Sequence, residues 1–274
     1  MRILIASKYG PHGAVKIGGV QSWAQTLGDA FTELGHEVTQ WEYGESAPTR
    51  PYDFGVISHW RFTGSVSQVC RRCVNITHGV IDAERPKYGN VLFTSEEVRD
   101  YWGTKGGILR QPIDLDFWTP AKARKKYLIR YSYRGGLDWM PEVAQDLNLK
   151  YRHVKNVSHR QARDWFRQAA VVVATGRAAL EAMACGAPVV ICDHRAPYQG
   201  PLLDLDTLGS MKRNYSGRGG HEPTPGTLRL ACEKAADEGS LRWHVEEHHD
   251  AQKVAHDLLC YADRRQTGSL GATG

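Results

Sequence analysis

The residues best placed for chemistry lie at the start of a predicted helix. The sequence TGRAALEAMACG (175–186) puts Gly176 and Arg177 at the helix N-terminus and Glu181 about one turn further along. The first N–H groups of a helix have no intrahelical acceptor, and the helix dipole is positive at that end. Such an end binds anions such as phosphate. A carboxylate beside it is suited to accept hydrogen bonds from ribose hydroxyls, although most helix glutamates are simply solvated.

The residues around this helix predict a strand, a helix and a second strand with very short connections. Residues 171–173 are three valines, as expected of a strand buried on both faces of a parallel sheet. Helix-forming residues fill 177–185, and Gly186 followed by Pro188 is typical of a helix C-terminus. Residues 189–192 form the next apolar strand. In such a βαβ unit the helix begins at the carboxyl edge of the sheet, where α/β proteins bind ligands.

The sequence GRAALEAMACGAPVV (176–190) resembles the donor-site signature of glycosyltransferases with the GT-B architecture, especially the retaining enzymes of glycosyltransferase family 4. In that family a small turn and a helix carry the pattern Glu-Ala-Met-Ala-x-Gly-x-Pro-Val. The resemblance implies that Glu181 binds the ribose of a nucleotide sugar. It also implies that the helix N-terminus receives the diphosphate, through Gly176, Arg177 and Ala178.

Three family positions are changed or only partly matched. Many members carry a second glutamate eight residues before the ribose-binding one, which contacts the transferred sugar, and this chain has Val173 there. After the predicted strand 127–131 the family usually has Gly-Arg and then a lysine, which clamp the diphosphate. Arg134 in YSYRGG is the candidate arginine, suited by its bidentate fork, with a solvated surface arginine as the alternative. No residue clearly matches the lysine.

The first half of the chain predicts another open α/β sheet. A strand over 2–6 precedes a glycine-bearing loop and a helix over 21–34, and the loop matches neither the dinucleotide-binding nor the Walker pattern. IGGVQSWAQTLGDAFTELGHEV (17–38) resembles the first loop and helix of GT-B enzymes. That resemblance implies that Gly18 and Gly19 face the donor phosphates or the acceptor.

Two histidines follow predicted strands of this half. His59 and Trp60 come after a strand over 54–58, and His78 comes after a strand over 74–77. Both histidines are therefore expected at the carboxyl edge of the sheet, although a single histidine is more often structural than catalytic. VNITHG resembles the strand-end histidine of family 4, which implies a catalytic place for His78 near the transferred sugar. His59 and Trp60 are interpreted as lining an acceptor pocket.

The segment QPIDLDFWTP (111–120) is interpreted as an interdomain linker, because it has two prolines and no helix or strand period. It resembles the family stretch Pro-Asn-Gly-Ile-Asp-x-x-x-Phe without the Asn-Gly pair. The predicted fold class is α/β with the GT-B architecture, in which two Rossmann-like domains with parallel sheets face an interdomain cleft. The expected parts are an acceptor domain over 1–120, a nucleotide-sugar domain over 121–245 and a helix over 246–265 that crosses back to the first domain.

Composition and charge bound the class of protein. The 274 residues are 41% hydrophobic and 24% charged, which is typical of a globular protein. No apolar run is long enough to predict a membrane helix, and the start MRILIASKYG favours a strand over a signal peptide, so we expect a cytoplasmic protein. The formal net charge of +5 suits a nucleotide diphosphate or an anionic acceptor without choosing between them.

Two sequence patterns are similar to metal sites. Cys70 and Cys73 form a C-x-x-C without a second ligand pair, and incidental or structural use is the favoured interpretation. His244 to His248 spells H-x-x-E-H, a zinc peptidase pattern, but no distant third ligand is indicated. The C-terminal helix of a GT-B enzyme accounts for that segment, and we expect no metal.

The sequence therefore predicts a glycosyltransferase that moves a sugar from a nucleotide-diphosphate donor, expected to be a UDP-sugar, to an acceptor hydroxyl. The resemblance implies retention of configuration and no required cofactor. Three alternatives stay open: a phage-type enzyme acting on modified DNA bases, a nucleotide-sugar epimerase, and a nucleotide-sugar-binding protein without transfer activity. For a DNA acceptor, the phosphates would meet a set of basic side chains: Arg71, Arg72, Lys122, Arg124, Lys125 and Lys126.

Overall fold

A computed structural model gives the fold of the chain. The residues that it describes are 1–7, 19–42, 44–80, 82, 85–86, 90–122, 125–132, 137–192, 207–218 and 221–267. The chain divides into two compact units, and the last segment belongs with the first part: Met1–Asp114 with His249–Gly274, and Leu115–His248. Among the described residues, no helix combines the length and the apolar content needed to cross a membrane.

The first unit is built on a parallel sheet of six strands in the order β2-β1-β3-β4-β5-β6. Its strands are β1 (Arg2–Ser7), β2 (Glu37–Glu42), β3 (Phe54–Ile57), β4 (Cys73–Thr77), β5 (Val91–Phe93) and β6 (Gly107–Ile108). Its helices are α1 (Gly19–Glu33), α2 (Thr63–Val69), α3 (Glu96–Trp102) and α10 (Ala251–Thr267), with a 3-10 turn at Trp60–Phe62. Every strand pair is parallel, so all carboxyl ends meet at one edge of the sheet.

Helix α10 completes the core of the first unit although it comes last in the chain. Its apolar face, which includes Val254 and Leu258, packs in one cluster with Ile3 of β1 and Phe31 of α1. The chain enters this helix beside residue Ile113, whose N–H donates to the His249 carbonyl at 2.7 Å.

The second unit is built on a parallel sheet of four strands in the order β10-β9-β7-β8. Its strands are β7 (Tyr127–Tyr131), β8 (Lys150–Val154), β9 (Ala169–Ala174) and β10 (Val189–Ile191). Its helices are α4 (Met140–Asp146), α5 (His159–Phe166), α6 (Arg177–Ala184), α7 (Thr207–Lys212), α8 (Pro225–Glu238) and α9 (Arg242–His248).

The βαβ unit over β9, α6 and β10 is present as predicted. The three valines of β9 are 2% exposed or less, which explains why a β-branched run without polar residues lies there. Gly186 follows the C-cap of α6, and its φ of +73° is in the left-handed region that favours glycine. The Gly186 N–H donates to the Met183 carbonyl and the Ala187 N–H to the Ala182 carbonyl, at 2.8 and 3.1 Å. These two bonds form a Schellman motif.

The segment 111–120, interpreted as a linker, is fixed by hydrogen bonds at both of its ends. In the first unit, Ile113 bonds with His249 and accepts the Ala251 N–H at 3.1 Å. In the second unit, the Arg167 guanidinium donates to the Thr119 carbonyl at 2.7 Å. The absence of a helix or strand period therefore identified an irregular segment correctly, but that segment has its own set of partners.

Candidate functional site

Arg177 and Glu181 form a buried ion pair on α6. Nε of Arg177 donates to Oε1 of Glu181 at 2.8 Å, and each side chain is 6% exposed. The interpretation of Glu181 as an ordinary solvated helix carboxylate is therefore wrong. Both charges lie inside the second unit, where their attraction is strong and the loss of either partner is costly.

Two further ionisable groups belong to the surroundings of this pair. Burial, and after it the charge of Glu181, raises the pKa of Tyr131 to about 12. Burial, and after it the charge of Arg177, lowers the pKa of His159, which also packs 5.7 Å from the Trp118 ring. Burial raises the pKa of Glu181 itself, against the charge and hydrogen bond of Arg177. At neutral pH the surroundings therefore offer a neutral phenol and a neutral imidazole.

Gly176, immediately before α6, has a backbone that only glycine adopts readily. Its φ is +60° and its ψ is −138°. A Cβ placed there would have no atom within 4 Å, so the space on that side of the backbone is open. Its N–H donates to the Tyr215 carbonyl at 2.7 Å. The next two residues, Arg177 and Ala178, begin the first turn of the helix, whose N–H groups point towards its N-terminal end.

Val173, where the family pattern has a glutamate, belongs to the apolar core. It is 2% exposed and packs in one cluster with residues of α4 and α8. Its partner in register on β7 is Arg130, which is only 3% exposed. Burial raises the pKa of Tyr151, and the charge and hydrogen bond of Arg130 oppose that shift. We did not identify Arg130 from the sequence, although an arginine inside the strand YLIRY was a visible signal.

His78 lies at the end of β4, in the first unit. Its ring meets the ring of Trp23 edge to face, with centroids 4.7 Å apart and planes at 80°. The Thr94 hydroxyl donates to the His78 carbonyl at 3.1 Å. Trp23 is fully buried on α1. His78 packs against this buried ring and is itself partly exposed.

His59 and Trp60 lie at the end of β3. His59 is 8% exposed, and its Nδ1 accepts the Arg61 N–H at 3.3 Å, which caps the 3-10 turn. Its ring stacks on Trp60 with centroids 5.8 Å apart and planes at 24°, and the Arg61 guanidinium lies 5.7 Å from the centre of the Trp60 ring. His59 therefore has a structural contact on one ring nitrogen, and Trp60 presents the more exposed ring.

Buried polar side chains that we did not identify from the sequence accompany these histidines near the carboxyl ends of β1 and β3 and in the first turn of α1. Each is less than 5% exposed: Ser7, Gln21, Ser22 and Ser58. Gly19 is the first residue of α1, and a Cβ at this position would meet no atom within 4 Å. Two residues predicted to bind the donor, Gly18 and Arg134, lie outside the described residues.

The patterns that are similar to metal sites have structural contacts. His244 is completely buried, and its Nε2 lies 2.6 Å from the Tyr215 hydroxyl. Cys70 and Cys73 are free thiols, and burial, followed by the neighbouring thiol, raises the pKa of Cys70 to about 12. In the described part of the chain, no three His, Cys, Asp or Glu side chains are grouped so that they could hold a metal ion.

Several basic side chains considered for DNA phosphates have partners within their own unit. Nη1 of Arg72 pairs with Asp263 at 2.5 Å. The Lys126 ammonium lies 5.3 Å from the centre of the Tyr127 ring. Lys125 and Lys126 are both exposed and therefore accessible to a polyanion, whereas Arg72 is held in its ion pair.

Three solved enzymes share this architecture over nearly the whole chain. AviGT4, a glycosyltransferase involved in avilamycin A biosynthesis, has a TM-score of 0.57 at 15% identity, covering 97% of this chain and 98% of its own. Sucrose-phosphate synthase from Thermosynechococcus elongatus has a TM-score of 0.56 at 14% identity, with coverages of 98% and 100%. An alpha-glucosyltransferase in complex with UDP and a 13-mer DNA containing an HMU base has a TM-score of 0.54 at 11% identity, with coverages of 98% and 98%.

These similarities and the two parallel sheets confirm the predicted α/β fold of GT-B type. At such low sequence identity they establish the fold alone. No protein-family model and no curated protein matches the sequence. The function must therefore be argued from the site.

Proposed function

We propose that this protein is a glycosyltransferase that moves a sugar from a nucleotide-diphosphate donor to an acceptor hydroxyl. The observation that carries the proposal is the buried pair of Arg177 and Glu181 at the start of α6. The start of α6 thus places a guanidinium and a carboxylate next to the N-terminal end of a helix, at the carboxyl edge of a parallel sheet, where anions are bound. A nucleotide diphosphate offers the matching groups, which are phosphate oxygens and ribose hydroxyls.

The proposed roles follow from the groups that each residue presents. The N–H groups of Arg177 and Ala178 and the Arg177 guanidinium stabilise the negative charge of the departing diphosphate. Gly176 leaves open space in which phosphate approaches the backbone. Glu181 has a second carboxylate oxygen besides the one bonded to Arg177, and this oxygen accepts from the ribose. We propose further that Gly18, Gly19 and Arg134 contribute to donor binding.

His78 is the proposed catalytic residue of the first unit, where it contacts the transferred sugar or its developing charge. His59 and Trp60 are proposed to contact the acceptor. In the proposed reaction, the bond between the anomeric carbon and the diphosphate oxygen breaks, the acceptor oxygen bonds to that carbon, and the proton of the acceptor hydroxyl passes to the departing diphosphate. We propose that configuration is retained, that a UDP-sugar is the donor and that no metal is required.

A binding experiment tests the donor site. UDP, GDP, ADP and TDP sugars are titrated at millimolar concentration against the wild type and Glu181→Gln, and the melting temperature is followed. A ligand that binds only the folded protein raises the melting temperature once its concentration exceeds the Kd. We expect one nucleotide class to raise the melting temperature of the wild type. The apparent affinity of Glu181→Gln for that nucleotide sugar should be at least fivefold lower, because the amide is a weaker acceptor for the ribose hydroxyls.

Glu233→Gln is the matched control. Glu233 also pairs with an arginine four residues earlier on a helix of the second unit, at 3.1 Å, but that pair is about 44% exposed. The control should bind the donor as the wild type does. A wild type that responds to no nucleotide sugar contradicts the proposal. A donor that binds but is never hydrolysed or transferred supports the alternative of a non-catalytic binding protein.

A modified DNA base is the acceptor that we would test first, because one enzyme of similar fold was solved with UDP and DNA containing an HMU base. The expected result is transfer of label from the donor to an oligonucleotide with a hydroxymethylated base and none to the unmodified oligonucleotide. Affinity for DNA should fall as salt rises, since released counterions drive such binding. Donor hydrolysis without any transfer to DNA would point to another hydroxyl acceptor.

A further inference from the structure

We infer that Tyr215 and His244 are positioning residues that hold Gly176 in the conformation needed to bind the donor diphosphate. The inference rests on the proposed function of α6 and adds two residues from outside the helix. It starts from a chain of two contacts: the Gly176 N–H donates to the Tyr215 carbonyl at 2.7 Å, and the Tyr215 hydroxyl lies 2.6 Å from Nε2 of His244.

Tyr215 has an unfavourable backbone conformation that its side-chain contacts can maintain. Its φ is +53° and that of Asn214 is +54°, two consecutive non-glycine residues in the left-handed region. Tyr215 is 1% exposed and His244 is fully buried. Because the phenol is locked to His244, the Tyr215 carbonyl is held where the Gly176 N–H can reach it. Strained backbone of this kind persists only where the surrounding structure over-determines it.

Helix α9, which carries His244, also contacts the far end of α6. Arg242 at the start of α9 hydrogen bonds to the carbonyl of Ala184, the last residue of α6. The same Nη1 donates to the Trp118 carbonyl at 2.8 Å. Helix α9 therefore holds the C-terminal end of α6 directly and its N-terminal end through Tyr215. Both ends of the helix that carries Arg177 and Glu181 are fixed by one neighbouring helix.

In this arrangement, the diphosphate and the nucleoside of a donor depend on different residues. The diphosphate meets the backbone next to Gly176, whose orientation depends on Tyr215. The nucleoside meets Glu181, which depends on Arg177 and the helix interior. Loss of the Tyr215 hydroxyl should therefore weaken binding of a nucleoside diphosphate and spare binding of the nucleoside.

The experiment compares UDP with uridine by calorimetric titration, or the nucleoside diphosphate that the wild type prefers with its own nucleoside. Tyr215→Phe should raise the Kd for UDP at least fivefold and change the Kd for uridine by less than twofold. His244→Leu should behave in the same way. His244→Gln should stay within twofold of the wild type, because the glutamine amide can replace Nε2 as the partner of the phenol. The two His244 variants decide the outcome should Tyr215→Phe fail to fold.

Tyr261→Phe is the control, since it removes a hydroxyl that donates to Asn90 at 2.9 Å in the first unit. It should leave the Kd values for UDP and for uridine unchanged. Equal loss of UDP and uridine in Tyr215→Phe or His244→Leu would show a general structural role and overturn the inference, as would unchanged UDP binding. A wild type that binds no nucleoside diphosphate would overturn the proposed function itself.

Discussion

At the scale of single residues, the Arg177–Glu181 pair has an energetic cost that the fold alone does not explain. Two charges with 6% exposed side chains must be desolvated, and a well-packed apolar pair at the same place is often as stable or more stable. Perturbed and buried ionisable groups of this kind cluster at functional sites. The cost of burying this pair agrees with the ligand-binding role that we propose for it.

Variants of the pair can separate its effect on stability from its effect on ligand binding. Glu181→Ala leaves the Arg177 charge buried without its carboxylate, and we expect a loss of about 3–5 kcal/mol in the free energy of unfolding. The double variant Arg177→Met/Glu181→Met removes both charges and should recover most of that loss, measured by urea denaturation. The same double variant should not bind UDP. Recovery of stability together with wild-type binding would contradict a role for the pair in donor recognition.

Glu96 and Arg110 form a second well-ordered pair, in the first unit, with a pH dependence that can be stated. The guanidinium donates to both carboxylate oxygens at 2.8 and 2.6 Å. Burial would raise the pKa of Glu96, but the hydrogen bonds and charge of Arg110, the hydrogen bond to the Glu96 backbone and the charge of Arg99 together outweigh it, so the pKa is lowered from 4.5. The ionised form is thus favoured in the folded state. The stabilisation is present above pH 4.5 and is lost as the pH falls through the lowered pKa.

We therefore expect Glu96→Gln to lower the free energy of unfolding by about 1 kcal/mol at pH 7. The difference from the wild type should shrink steadily as the pH falls below 4.5, followed by chemical denaturation at each pH. Asp100→Asn removes an exposed pair with Arg99, with side chains 65% and 37% exposed, and should have little effect. A difference that is independent of pH would rule out ionisation of Glu96 as the cause.

At the scale of elements, the turn between β9 and α6 depends on one glycine. Gly176 combines a φ of +60° with a ψ of −138°, and a Cβ there would meet no atom within 4 Å. The cost of a side chain at this position is therefore backbone strain and not a clash. Relief of that strain would turn the first amides of α6 away from their present direction, so a substitution here should affect both stability and the proposed diphosphate binding.

Gly176→Ala should cost about 1–3 kcal/mol in the free energy of unfolding and should abolish the response to UDP. Gly226→Ala is the matched control, because Gly226 lies in the first turn of α8 in the same unit, also with no atom within 4 Å of a Cβ and without a positive φ. It should be neutral or slightly stabilising, since alanine is the better helix former. Thermal unfolding and UDP titration of both variants measure the contrast.

The elements of this site could be predicted where the local sequence alone determines them. The bounds of β7 agree with the predicted strand 127–131, and the valine run, Gly186 and Pro188 located the βαβ unit around α6. At the start of α5 the Ser158 hydroxyl accepts the Gln161 N–H at 3.3 Å, a cap formed by residues three positions apart. Such signals work because strand burial and helix caps depend on residues close together in the sequence.

Contacts between distant residues could not be predicted in this way. The bond between Tyr215 and His244 joins residues 29 positions apart, and no local pattern indicates it. Three short helices, α2, α4 and α7, were not predicted; α2 and α4 have no side-chain hydrogen bond at their N-caps, so the sequence signal that marks a helix start is missing there. The i,i+4 spacing of Arg177 and Glu181 was visible in the sequence, but their burial depends on how the sheet and α5 pack.

At the scale of the whole molecule, the chain builds its first unit from both of its ends. The segment from His249 onwards belongs to the unit that begins at Met1. Its helix α10 supplies Leu258, which is fully buried, to the core around β1 and α1. The first unit therefore needs residues from two separate parts of the sequence, whereas the second unit is continuous in sequence.

Leu258→Ala tests this division. A buried leucine replaced by alanine usually costs about 2–5 kcal/mol, and here the cost should fall on the first unit, because Leu258 packs there. We expect hydrogen exchange to accelerate in β1 and β3 while β7 and β9 keep their protection. Leu230 lies on α8 and is 53% exposed. Leu230→Ala should change the protection free energies of either pair of strands by no more than about 0.5 kcal/mol. Equal loss of protection in both sheets would instead show that the two units unfold as one cooperative body.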